Sequence, residues 1–276
     1  MTLSSKHGAL PPELELAIVE FTVRAHPEIA TTLALVAQRF QTWVEAILYE
    51  TIVLDYPPSG TNLFLRTLKE RPSTFFERTV KRIYITTSVP AEDAARVLAV
   101  CTGASDVTCW TRPTPPIQYS KHLRRLSVDS QSLLASPITV SPHITHLDLV
   151  NPPPLADPHR WACIFAQFPK LTHVALGNLY ALGSCDHRAY IPLFCALLAG
   201  SDAAPRLSML VVVSDDADLL QFMHERVQDP RLVVMPYFNH PYTLADYWKG
   251  VNTRGMDFWN NAEELMTMQM RRAASP

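Results

Sequence analysis

The sequence is poor in the residues that build phosphate-binding loops and cysteine-based sites. Only 8 of its 276 residues are glycine, and it contains neither a G-x-G-x-x-G motif nor a G-K-[ST] phosphate loop. Its five cysteines are scattered without a C-x-x-C pair, which favours reduced, buried thiols over a disulfide framework or a zinc site. We therefore expect no cofactor, no metal and no enzymatic activity.

The chain also lacks an excess of charge and a long apolar run. Its net charge is −2 and its pI is about 6.5, so we expect neither nucleic acid nor an anionic membrane as a partner. Residues 1–9 are polar, and the longest apolar run, 189–199, is interrupted by Pro192 and is too short to span a bilayer. With 47% hydrophobic residues, the sequence predicts a globular protein of the cytoplasm or nucleus.

The first fifty residues contain a specific apolar pattern. Pro11 and Pro12 suit the entry to a helix and its first turn, because proline lacks the N–H that a helix start leaves unpaired. A helix is predicted to begin near Glu13. One of its faces carries four apolar residues, Leu14, Ala17, Ile18 and Phe21, and the opposite face carries two, Leu16 and Val19.

A second helix is predicted to follow, with its own apolar stripe. The stripe comprises Leu33, Val36, Phe40, Val44 and Ile47, and Leu35 points away from it. The two helices therefore carry more apolar surface than they can bury against each other. Either the rest of the chain packs on the surplus, or Leu10, Pro11, Leu16 and Leu35 form a docking patch for another protein.

The order of these residues resembles the F-box, the short helical module by which some adaptor proteins bind a cullin ubiquitin ligase. The Leu-Pro start and the helix leucines of F-boxes contact a small Skp-type adaptor. The resemblance implies the same role for Leu10, Pro11, Leu14 and Leu35. We assign residues 8–55 to this F-box-like helical module.

The remaining chain, 60–276, repeats a short strand-like pattern. An apolar-x-x-apolar-x-apolar motif begins at Val80, Leu123, Ile144, Leu171 and Leu207, with weaker copies at Ala104 and Leu232. The mean step of about 25 residues lies in the range of leucine-rich repeats. Helices are predicted between the copies, over 62–70, 91–101, 159–167, 189–199 and 215–227. Strands alternating with helices predict an α/β fold with a parallel sheet, in an irregular leucine-rich-repeat-like solenoid.

The last part of the chain predicts a closing helix. Residues 256–270 place Trp259, Ala262, Met266 and Met270 at helical spacing, which suits a cap over the open end of the sheet. Together with the N-terminal module and the repeated strands, a helix beginning Phe-Trp-x-x-Ala-Glu resembles the F-box-like proteins of mushroom-forming fungi. This resemblance implies an adaptor mechanism and leaves the target open.

A target would bind to the strand positions that alternate with the inward ones, because repeat proteins recognise partners through that face. The candidate target-binding residues are Tyr84, Trp110, Arg125, His146, Asp148 and His173. Towards the C-terminus the same positions are apolar, at Met209, Val211 and Val213, so that end is predicted to be covered by chain. The groove is expected over the first five strands.

Two short segments contain residue types used in metal binding or catalysis, but their spacing predicts no site. His143 and His146 lie on opposite faces of a strand at this spacing, so they predict no metal site. Ser184 to His187 combine nucleophile, acid and base types, yet adjacent residues rarely converge on one point, so a polar loop is expected. The sequence thus predicts a substrate-recruiting adaptor subunit of an SCF-type cullin ligase. The alternative is a stand-alone protein-binding repeat scaffold with a degenerate F-box.

Overall fold

A computed structural model describes residues 10–117, 120–135, 142–151, 158–177, 191–198, 206–214, 221, 223, 225–235 and 257–273. Its N-terminal part contains three helices, α1 (Pro12–Ala25), α2 (Ala30–Ala34) and α3 (Gln38–Leu48), with a 3-10 turn at Pro27–Ile29. These helices surround a small apolar core made by Val19, Val23, Ala30 and Val44. The predicted start of α1 is confirmed, with Pro12 in its first turn.

The predicted second helix is wrong in one respect, because two helices occupy its span. α2 ends at Ala34, and Ala37 has extended backbone angles of φ −158° and ψ 152° before α3 begins. The apolar stripe is broken at the same place, since the Val36 side chain is 63% exposed while Val44 is fully buried. A single 3.6-residue periodicity does not reveal the break, which lies at the turn between α2 and α3.

Eight parallel strands form one sheet in the order of the sequence. They are β1 (Thr51–Leu54), β2 (Arg82–Ile85), β3 (Asp106–Cys109), β4 (Arg125–Asp129), β5 (His146–Val150), β6 (His173–Gly177), β7 (Met209–Val213) and β8 (Leu232–Met235). The predicted α/β class and parallel sheet are thus confirmed, and every strand pairs only with its neighbours in sequence among the described residues. Sequential parallel order is the topology of a solenoid.

Helices connect the strands on one side of the sheet. They are α4 (Ser59–Glu70), α5 (Ser73–Thr79), α6 (Ala91–Val100), α7 (Ser130–Ala135), α8 (Pro158–Phe165) and α9 (Ile191–Leu198). The predicted helices near 62–70, 91–101, 159–167 and 189–199 correspond to α4, α6, α8 and α9. The fifth, 215–227, lies largely outside the described residues. The main core lies between this helical layer and the inward side chains of the sheet, with Trp161, Phe76 and Phe194 fully buried.

The strand motif locates the sheet well at its centre and less well at its two ends. Leu210 pairs with Leu232, so Leu232 occupies the fourth position of its repeat and the frame predicted from Leu232 is wrong by three residues. At the other end, Ile52 pairs with Ile83, so the sheet already begins at β1, inside the 8–55 segment assigned to the helical module. Tyr49, Ile52 and Leu54 repeat the same apolar spacing.

The last helix, α10 (Phe258–Ala273), lies on the other face of the sheet from the connecting helices. A second apolar cluster forms there: Trp259 and Ala262 pack with buried strand residues Ala175, Met209, Val211, Val213, Val233 and Met235. The predicted covering of the C-terminal strands is confirmed. The prediction that this helix caps the open end of the sheet is wrong, because its Trp259 and Ala262 pack on one face, across β5 to β8.

None of the described helices is both long and apolar enough to cross a membrane.

Candidate functional site

The three N-terminal helices leave a large apolar face in solvent. In α1, only Val19 and Val23 are buried, and the broader stripe points outward. The side chains of Leu14, Ile18 and Phe21 are 52%, 54% and 76% exposed. Large apolar side chains in a contiguous exposed stripe are uncommon on a monomer and mark interaction sites. The richer apolar face of α1 is therefore available to another molecule.

The turn between α2 and α3 adds to this exposed surface. Leu35 is 87% exposed, the highest value for any large apolar side chain among the described residues, and Val36 beside it is 63% exposed. The turn leaves both side chains without a place in the small module core, which takes Val44 from α3 instead. Leu35 therefore contributes little to packing within the part of the chain that the structure describes.

All five residues expected to contact an adaptor lie at the surface. They are Leu10, Pro11, Leu14, Leu16 and Leu35, with Leu16 the least exposed of the leucines at 37%. The sheet domain does not cover them. The alternative expectation, that the rest of the chain packs on this surplus apolar surface, is wrong for these residues.

The helical module is fixed to the sheet domain by ion pairs and aromatic packing. The Glu50 carboxylate accepts hydrogen bonds from Arg24 of α1 at 2.6 Å and from Arg82 of β2 at 3.1 Å. The Tyr49 ring packs with three phenylalanines of the sheet domain, Phe64, Phe75 and Phe76. The exposed apolar face therefore has a set orientation relative to the sheet.

The second candidate surface is the sheet face opposite the connecting helices. Its predicted residues Tyr84, Trp110 and Asp148 lie on or beside β2, β3 and β5 and are partly buried. The Trp110 indole N–H donates to Ser127 Oγ at 2.9 Å, and the Ser127 hydroxyl donates to Asp148 Oδ2 at 2.5 Å. Burial raises the pKa of Asp148 to about 6, and the Ser127 hydrogen bond opposes the rise. The side chains of Trp110, Ser127 and Asp148 therefore form a hydrogen-bonded polar row.

The other predicted residues of this face, Arg125, His146 and His173, contact α10. Arg125 forms an ion pair and a hydrogen bond with Asp257, the residue before the helix. The Trp259 ring packs edge-on to both imidazoles, with ring centroids 4.9 Å from His146 and 5.9 Å from His173. The groove expected over the first five strands is therefore occupied at β4 to β6 by Asp257 and the start of α10.

Asp106 lies beside Arg125 on this face. Its carboxylate is 3.9 Å from the Arg125 guanidinium and is largely buried. Burial raises the pKa of Asp106 to about 7, against the attraction of Arg125.

The two imidazoles stack on each other. Their ring centroids are 4.2 Å apart and their planes differ by 12°. His173 Nε2 lies 3.5 Å from a carboxylate oxygen of Glu263 on α10. Burial, together with the charges of His173 and Arg125, lowers the pKa of His146 to about 3. Burial also lowers the pKa of His173, with Glu263 opposing this effect and Arg125 adding to it. Both rings are therefore neutral at neutral pH.

The His146–His173–Glu263 cluster was missed by sequence reasoning, which compared His146 with His143. The sequence does contain a signal for the two histidines of this cluster. Ile144-Thr-His-Leu-Asp-Leu149 and Leu171-Thr-His-Val-Ala-Leu176 place a Thr-His pair at the same positions of two successive repeats. Parallel strands in register stack such positions, and His146 pairs with His173. Nothing in the sequence near either repeat indicates Glu263. The Ser184 to His187 segment lies outside the described residues.

Comparison with protein-family models finds no match to this sequence, and comparison with curated proteins finds none either. Any inference about function therefore depends on the two surfaces described above.

Proposed function

We propose that this protein is the target-recruiting subunit of a cullin-type ubiquitin ligase. Helices α1 to α3 bind a Skp-type adaptor, and the sheet domain holds a protein target. The observation that carries the proposal is the exposed apolar face of the helical module, where Leu14, Phe21 and Leu35 are 52%, 76% and 87% exposed.

The position of this face supports docking in preference to a role in folding. A leucine such as Leu35 contributes about 1.5–3 kcal/mol when it is fully buried, and it contributes little of this while exposed. The module nevertheless keeps a separate core of its own around Val19 and Val44. The exposed leucines are therefore surplus to the stability of the isolated chain and are suited to burial by a partner with an apolar helical surface.

The rigid junction suits the proposed mechanism. An adaptor protein of this kind acts by proximity, because it raises the local concentration of target lysines near the ubiquitin-charged enzyme. A flexible linker would spread the target over a larger volume. The Glu50 ion pairs with Arg24 and Arg82, together with the packing of Tyr49, hold the module at a set orientation to the sheet.

The test is a pull-down of a Skp-type adaptor with the intact protein and with a Leu10→Ala, Pro11→Ala, Leu35→Asp variant. We expect the intact protein to retain the adaptor and the variant to lose it, with an unchanged circular dichroism spectrum and unfolding midpoint. A matched control is Leu63→Asp, since Leu63 is a 55% exposed leucine on α4 of the sheet domain, outside the proposed docking face. That variant should bind like the intact protein.

Two results would contradict the proposal. If the intact protein does not retain the adaptor, the stand-alone scaffold with a degenerate F-box is the better assignment. If Leu63→Asp reduces binding as much as the module variant does, the retention is unspecific hydrophobic capture.

A further inference from the structure

The cluster of His146, His173 and Glu263 brings three side chains that can bind a metal to one place on the sheet face. A nitrogen of each imidazole and a carboxylate oxygen of Glu263 lie within 4.8 Å of one another. They come from β5, β6 and α10, which are three separate segments of the chain. Two imidazoles and one carboxylate form a ligand set that divalent transition metals commonly use.

A neighbouring threonine hydroxyl contacts Nδ1 of each imidazole, which leaves Nε2 as the candidate metal ligand. Thr145 Oγ1 lies 2.8 Å from His146 Nδ1, and Thr172 Oγ1 lies 2.7 Å from His173 Nδ1. Both hydroxyls donate to backbone carbonyls, Thr145 at 3.3 Å and Thr172 at 3.1 Å. With the hydroxyl proton on that carbonyl, each hydroxyl accepts from Nδ1–H, and in this tautomer the lone pair of each ring is at Nε2, the nitrogen that can bind a metal.

This tautomer brings two acceptors face to face. His173 Nε2, which carries a lone pair, is 3.5 Å from the Glu263 carboxylate oxygen. In this tautomer a divalent cation between the two atoms would bind both of them and remove their mutual repulsion. In a tetrahedral zinc site with bonds of about 2.0–2.1 Å, neighbouring ligand atoms are about 3.4 Å apart. The separation of His173 and Glu263 already matches that geometry.

We propose that His146, His173 and Glu263 bind one divalent transition metal ion of the Zn²⁺ class. The two imidazoles bind through Nε2, the Glu263 carboxylate supplies the third ligand, and water completes the coordination. Closing the set requires the stacked rings to tilt so that both Nε2 atoms converge, a rotation about the soft terminal side-chain torsion. Glu263 is half exposed and can move towards them.

The surroundings of the cluster resemble the outer shell of a metal site. The Thr145 and Thr172 hydroxyls orient the imidazoles through Nδ1, as outer-shell partners of metal-bound histidines do. The buried Trp259 ring covers one side. Because the ligands join β5 and β6 to α10, the bound ion fixes the helix to the sheet. This site is independent of the adaptor-binding face on α1 to α3.

The test uses the full chain, stripped with a chelator and titrated with Co²⁺ and then with Zn²⁺. We expect one Co²⁺ per chain, with the visible absorption bands of a low-coordinate ion that Zn²⁺ displaces, and a Zn²⁺-dependent rise in the unfolding midpoint. Glu263→Gln and His173→Gln should weaken Co²⁺ binding by at least about 100-fold and abolish the Zn²⁺-dependent rise.

Matched controls distinguish this site from adventitious binding. Glu264→Gln makes the same change at the next position of α10, and His143→Gln removes a histidine just before β5. Both should bind Co²⁺ like the intact protein. Glu263 is exposed, so its variant should fold normally. No stoichiometric Co²⁺ binding by the intact protein, or binding that Glu263→Gln and His173→Gln leave unchanged, would overturn the proposal.

Discussion

Trp259 is the largest buried side chain that α10 places against the sheet. This residue is 7% exposed and packs on the apolar strand face beside His146 and His173. A tryptophan buries about 150–250 Å², which at about 25 cal/mol per Å² corresponds to about 4–6 kcal/mol. Measured losses for tryptophan-to-alanine changes in protein cores are about 3–5 kcal/mol. We therefore expect Trp259→Ala to weaken the attachment of α10 by about 3–5 kcal/mol.

The loss should be local because α10 is the last element and packs on one face only. Native-state hydrogen exchange separates local detachment from global unfolding. We expect the amides of α10 to exchange at least about 100-fold faster in Trp259→Ala, since each 1.4 kcal/mol is a factor of ten. Amides of β2 and β3, which do not touch the helix, should keep their protection.

A matched control lies on the solvent side of the same helix. Met268 is 44% exposed, so Met268→Ala should change stability by no more than about 0.5 kcal/mol. If Trp259→Ala leaves exchange in α10 as slow as in the intact protein, the helix is not held on this face by the ring, and the argument from burial is refuted.

Three further comparisons test other parts of the structure. Gly103→Ala should destabilise the protein by more than about 2 kcal/mol in thermal unfolding, because the new Cβ would lie 1.8 Å from a backbone carbonyl oxygen of α5. Gly60→Ala should be neutral or slightly stabilising in the same assay, because its new Cβ meets nothing within 4 Å. Val44→Ala should cost about 2 kcal/mol in urea unfolding, while Phe21→Ala should cost almost nothing; equal losses would contradict the assigned faces. Asp106 has a pKa raised to about 7 from 3.8, so the folded state binds its proton more tightly, and the stability this group contributes is lost as pH rises from about 4 to about 7. The stability of Asp106→Asn relative to the intact protein should therefore increase from about pH 5 to about pH 8, and a constant difference would contradict this.

The sequence predicts the sheet because the strand pattern is local. The pattern is an apolar residue, a second one three places later, and a third two places after that. Its second position is Ile83 in β2, Leu126 in β4 and Leu147 in β5. The pattern is ambiguous at β8, where several apolar residues in a row satisfy more than one frame. β1 directly follows α3, so its short pattern falls within the predicted helical segment 8–55.

Long-range packing explains what the sequence does not predict. The amphipathic pattern around Trp259 indicates that one side of α10 is buried but not which surface covers it. The ion pair between Arg125 and Asp257 joins residues 132 positions apart. The contact between His173 and Glu263 likewise joins residues that are distant in the sequence. Likewise, periodicity shows that α1 has two apolar sides. Only packing determines that the smaller side, with Val19 and Val23, is the buried one.

The central claim is that the exposed apolar face of α1 to α3 binds a Skp-type adaptor. Hydrogen exchange of the intact protein with and without a purified adaptor of this type tests it most directly, because the method shows which segment is covered. We predict slower exchange within residues 10–48 and unchanged exchange in β2 to β5. No change in residues 10–48 at saturating adaptor, or protection confined to the sheet, would contradict the claim.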